Sequence, residues 1–161
     1  MNSIADWMQT TWINALALNY AWTWPTLETL HFIGMSLLIG AIIIMDLRLI
    51  GVQRVIPSVS VHTLLPIAFI GFGINLLTGI IFLFGDPNRY FINISFQIKM
   101  VLVLLAGLNA LLYAVKVAPA MANAGPHDPT PGLAKAVGAA SLLLWAGVLC
   151  FGRLIPYLGT G

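Results

Sequence analysis

The chain has 161 residues, of which 60% are hydrophobic and only 7% charged, and its mean hydropathy is +0.96. A soluble domain carries about 25% charged residues, so most of this chain has no water to face. The formal net charge of +2 gives no basis for nucleic-acid binding, and the single cysteine, Cys150, excludes an internal disulfide.

From the N-terminus, Ile4, Trp7, Met8, Trp12, Ala15 and Leu16 recur at helical spacing. Four of the five tryptophans (Trp7, Trp12, Trp22 and Trp24) stand before Pro25. Indoles favour the headgroup level, so an amphipathic helix over about 3–20 is expected in the membrane interface. The alternative is a short helix packed on the bundle. No Lys or Arg occurs in Met1–Tyr20, so the positive region of a secretory signal is missing.

A spanning helix needs about 20 mostly apolar residues, and four segments qualify. They are expected at about 25–49, 62–84, 91–117 and 133–154, by apolar run length. Pro25 suits a first helical turn, and Pro66 either kinks the second span or marks its start. The stretch AMANAGPHDPTPG is a Pro- and Gly-rich loop before the fourth span. The expected fold is all-α: one integral membrane domain over 1–161, a four-transmembrane-helix bundle with an N-terminal interfacial helix.

Arg48 and Arg54 follow the first span, and Lys116 and Lys135 flank the third loop. The N-terminal segment has no such residue, and the second loop has only Arg89. By the positive-inside rule both termini face outward, which is periplasmic in a bacterial inner membrane.

Charged groups inside spanning helices are costly and point to function. Glu28 and His31 open the first span, Lys99 lies two turns into the third, and Arg153 ends the fourth. Helix direction brings these residues, on three helices, to one depth, about 5–10 Å below the outer interface by helical rise. Glu28 neutralises only one of the two cations, so an anionic ligand group is expected to meet the other. Their structural reading is an ion pair, a helix-dipole partner for Glu28 and a snorkelling Arg153.

Imidazole is a common metal ligand and an axial ligand of haem iron. Gly34, one turn beyond His31, would let a flat macrocycle approach the backbone. Glu28, at i−3, is within reach of the His31 ring, as a carboxylate partner of a metal-bound histidine or of a core one. His62 begins the second span about 25 Å of helical rise away. It is read as an interfacial residue, or as a second site with Asp46 and Arg48, and His127 as a solvated loop residue. Gly71, Asn75 and Gly79 form a smooth stripe suited to helix packing, within the chain or between copies.

The segment PTLETLHFIGMSLLIGAIIIMDLRLIG carries Glu28-x-x-His31, Gly34 and Asp46-Leu47-Arg48, and FQIKMVLVLLAGLNALLY carries Lys99 and Asn109. With the Asn75/Thr78-Gly79 stretch, this pattern resembles an uncharacterised family of small bacterial four-helix inner-membrane proteins. That family is distantly similar to HemJ-type protoporphyrinogen oxidases and to copper-resistance membrane proteins of the D type. HemJ-type proteins bind haem b through a histidine of their first helix and have an intramembrane lysine; His31 and Lys99 are the matching residue types. The other HemJ positions do not align, so the resemblance implies a haem site and not the oxidase activity.

The expectation is a haem b-binding, redox-linked inner-membrane protein. His31 is its metal ligand, Gly34 its close approach, Lys99 and Arg153 its propionate partners, and Glu28 an orienting or balancing carboxylate. Expected partners are the lipid bilayer, a quinone or other redox partner, and a second copy or larger membrane complex. The competing readings are a small transporter or channel and a non-catalytic subunit.

Overall fold

A computed structural model describes residues 3–52, 63–122 and 128–158 of the chain. Arg54, His62 and His127, which the sequence reading weighed, lie outside the described residues.

Two short helices, α1 (Ser3–Gln9) and α2 (Trp12–Asn19), precede α3 (Thr23–Ile50). After it come α4 (Leu65–Gly85), the short α5 (Pro87–Ile92), α6 (Ile94–Leu112) and α7 (Gly132–Leu154). The third span runs on from α6 through a π turn, Tyr113–Val117, to Ala120. Thr23–Ile50, Leu65–Gly85, Ile94–Ala120 and Gly132–Leu154 are each long and apolar enough to cross a membrane. Even the 21-residue α4 rises about 31 Å, which matches a hydrocarbon core about 30 Å thick. The protein is an all-α, four-helix, multi-pass membrane protein.

The helices associate in the order α4, α3, α7, α6. Although α4 and α6 neighbour each other in sequence, they form no packed interface. Gly71 sets the closeness of α4 to α3, because a Cβ there would lie 2.6 Å from the Gly34 carbonyl oxygen and the Leu38 nitrogen. Gly138 does the same between α7 and α3, where a Cβ would meet the Asp46 carbonyl at 3.1 Å. Small residues at such crossings bring backbones together, which is how helices associate where lipid removes the hydrophobic drive. The stripe on α4 is therefore used within the chain at Gly71 and Asn75, while Gly79 has nothing within 4 Å.

The N-terminal segment differs from the single helix expected over about 3–20. Thr11 interrupts it and caps α2, its hydroxyl accepting from the Asn14 N–H at 3.4 Å. The Asn14 amide donates to the Phe84 and Gly85 carbonyls at 2.8 and 3.3 Å, satisfying acceptors that the end of α4 leaves unpaired. Trp7 meets the Phe84 ring edge-on at 6.1 Å. The segment is thus packed on the bundle, yet Trp12 and Trp22 remain 75% and 80% exposed.

The third span begins at Ile94, three residues later than expected, because Asn93 ends α5 and caps α6. Its side-chain oxygen accepts from the Phe96 N–H at 3.1 Å. Its amide donates to the Ile155 carbonyl at 2.8 Å and to that of Leu158. Fully buried, Asn93 ties the start of α6 to the end of α7. Pro66 lies in the first turn of α4, so it starts that helix rather than kinking it.

Candidate functional site

His31 lies in the third turn of α3 and is half-buried against α4. Its Nδ1 is 2.7 Å from the Thr78 Oγ1. Thr78 is itself buried, and its hydroxyl donates to the Ile74 carbonyl at 2.7 Å, one turn back on α4. With that proton committed, Oγ1 accepts from the histidine, and the bond assigns an Nδ1–H tautomer. The Nε2 lone pair is then left over, with no hydrogen-bond partner among the described residues. The Phe82 ring meets the imidazole edge-on at 5.7 Å, holding its plane.

Lys99 lies on α6, near enough for its charge to act on the His31 ring. Its side chain runs along Gly152 of α7, with Cδ, Cε and Nζ each 3.7 Å from where a Cβ would stand. Among the described residues the ammonium has neither an ion pair nor a hydrogen bond.

The other expected residues are placed differently. Glu28 is exposed on α3 and is not the partner of His31; that role falls to Thr78. Glu28 lies near enough to Tyr90 of α5 for its charge to act on that phenol. Burial above all holds that phenol above its ordinary range; Arg89 opposes the shift, while Asp86 and Glu28 add to it. Arg153 is exposed at the end of α7, stacked 5.3 Å from the Tyr157 ring centroid and bonded to its hydroxyl at 3.2 Å. Gly34 is buried under α4, where a Cβ would lie 2.8 Å from Asn75 Nδ2 and from Ile74. Its space is filled by the neighbouring helix. The structure thus brings Lys99 within reach of His31 by its charge, while Glu28 and Arg153 are exposed and Gly34 is packed under α4.

Thr78 and Phe82 were missed as partners of His31. Thr78 follows Gly71 by seven residues, on the face of α4 that meets α3, and that spacing was a legible signal.

A second polar group lies at the other end of α3. Asp46 and Arg48 are 5% and 1% exposed. Arg48 donates to the Thr130 hydroxyl at 3.4 Å, and Ser141 of α7 lies within hydrogen-bonding reach of Asp46. Among the described residues no group of three or more His, Cys, Asp or Glu side chains could hold a bare metal ion.

One family model matches the chain over residues 4–158, and its description is a family of unknown function, DUF6644. No curated protein and no solved structure matches it.

Proposed function

The chain belongs to this family of unknown function, and on the geometry of His31 and Lys99 we propose that it is a haem b-binding, redox-linked membrane protein. The observation that carries the reading is the hydrogen bond from His31 to Thr78. It supports the reading because it favours the Nδ1–H tautomer and leaves the Nε2 lone pair available to a metal, as outer-shell partners of metal-bound histidines do.

Lys99 supports the same reading from the other side. A half-buried ammonium without a partner, inside a spanning helix, favours an anionic ligand group. A haem would meet both needs at once, its iron taking the His31 Nε2 and a propionate taking the Lys99 ammonium. Because α4 covers Gly34, the macrocycle would lie on the side where α4 and α6 leave each other unpacked. Bound there, haem supplies one-electron redox chemistry at its iron. Thr78 and Phe82 keep the imidazole in one orientation, and Lys99 fixes the carboxylate end.

In this reading the protein resides in a bacterial inner membrane with both termini periplasmic, and its electrons pass to or from a quinone or another redox partner. A second copy or a larger membrane complex completes the assembly. The test is an absorbance spectrum with pyridine haemochrome analysis on protein purified from a haem-replete host. A Soret band that His31→Ala abolishes or strongly shifts supports the assignment. Its absence, or an unchanged spectrum in His31→Ala, removes haem from this position. The site then reads as that of a small transporter or channel, or as a structural element of a larger complex.

A further inference from the structure

We propose that Asp46 is a reversible proton-binding site, separate from the His31 region, held between α3, α7 and the π turn. Asp46 follows His31 by fifteen residues on α3, about 22 Å of helical rise, so the two sites sit at opposite ends of the bundle.

The geometry around Asp46 disfavours a permanent anion in three ways. The residue is 5% exposed, and its Oδ2 is fully buried without a hydrogen-bond partner. It stands one turn before Ile50, where α3 ends and the helix dipole presents its negative pole. It also lies at a close crossing with α7, where a Cβ added at Gly138 would stand only 3.1 Å from the Asp46 carbonyl oxygen. A lysine or arginine at a helix end can snorkel to the headgroups; a short carboxyl beneath another helix cannot. A structural ion pair would place a donor on Oδ2, and none is there.

The groups facing Asp46 set what it can bind. Ser141 of α7 is within hydrogen-bonding reach of the carboxyl. Tyr113, the first residue of the π turn, is near enough to feel its charge. Arg48, two residues on, turns to Thr130, as residues two apart on a helix do not share a face. Lys116 and Lys135 on the packed elements are exposed. A single carboxyl with hydroxyl neighbours has too few anionic oxygens for a divalent ion, which takes six or more oxygen ligands. A proton needs only the one oxygen. Its uptake converts the carboxylate to a neutral acid, with no other bond made or broken. The π turn fits such a site, since these irregularities recur where helices carry function.

Infrared difference spectroscopy on the full-length protein in lipid nanodiscs tests this, using wild type, Asp46→Asn and Ser141→Ala. The expected result is a protonated-carboxyl carbonyl band, absent in Asp46→Asn, that disappears and returns as pH is raised and lowered. Ser141→Ala keeps the band and moves its midpoint. A spectrum with no Asp46-dependent band, a band that never changes with pH, or one removed by added sodium at fixed pH overturns the proposal. If Asp46→Asn does not fold, Ser141→Ala decides: a shifted midpoint supports the site, and an unshifted one overturns it. Neither result depends on haem, whose test is the His31-dependent absorbance.

Discussion

His31 on α3 and Thr78 on α4, 47 residues apart in sequence, are joined by a hydrogen bond of 2.7 Å. The bond does two things at once: it pins the imidazole to the neighbouring helix and determines which ring nitrogen is free. In the proposed haem site, Thr78→Val removes the acceptor while keeping the β-branched shape. Haem affinity is expected to fall by about 10–100-fold, the usual cost of losing an outer-shell partner. Haem titration of the apoprotein measures it; affinity equal to wild type would detach Thr78 from the site.

Lys99→Met retains length and apolar fit along Gly152 but removes the ammonium. The expected outcome is weaker haem retention with the Soret position preserved, since the iron ligand is untouched. Lys99→Arg should restore part of the retention. A Met variant that holds haem as tightly as wild type means Lys99 contacts no propionate.

Gly71→Ala inserts a methyl 2.6 Å from α3 backbone atoms, and backbone cannot move aside as a side-chain tip does. Overpacking of this kind costs about 1–3 kcal/mol, here by forcing α3 and α4 apart. Gly79→Ala, with nothing within 4 Å, is expected to be neutral. Reversible unfolding in mixed micelles distinguishes the pair, and equal stabilities would contradict the α3–α4 crossing.

Asn93→Ala removes a helix cap and leaves the Ile155 and Leu158 carbonyls without their donor. A destabilisation of about 1–2 kcal/mol is expected from the cap alone. Asn93→Asp keeps the cap but sets a buried carboxylate oxygen against the two carbonyl oxygens, and should be no more stable than Ala. The same unfolding assay reads both.

Topology is tested in a Cys150→Ser background, because the native thiol is exposed. Single cysteines placed at Asp6 and Leu158 are expected to react with a membrane-impermeant reagent from the outside. Labelling from the cytoplasmic side alone would invert the orientation and the depths assigned to His31 and Asp46.

Much of this architecture was readable residue by residue. Long apolar runs with few charges leave helices across a bilayer as the economical solution, since a backbone in hydrocarbon must satisfy its own hydrogen bonds. That reasoning located four spans and gave Pro66 a helix start as one of two readings. His31 and Lys99 stood out because ionisable groups are rare in such segments. Helix direction alone placed them at one depth.

Partners across helices were beyond that reach. Depth follows from rise along a helix, but azimuth depends on which faces meet, and the glycines at 71 and 138 decide those faces through backbone contact. Glu28, an i−3 neighbour by sequence, is exposed, while Thr78 arrives from another helix to accept the His31 hydrogen bond. Gly34 looked like an opening and is the floor of a helix crossing, because smallness in a sequence does not say what fills the space. Asp46 was visible as a charge near a helix end, but only the tertiary structure buries it beneath α7 beside Ser141 and Tyr113. Apolar patterning, a property of each segment, determined the helices; interhelical packing, a property of pairs, decided what each polar group meets.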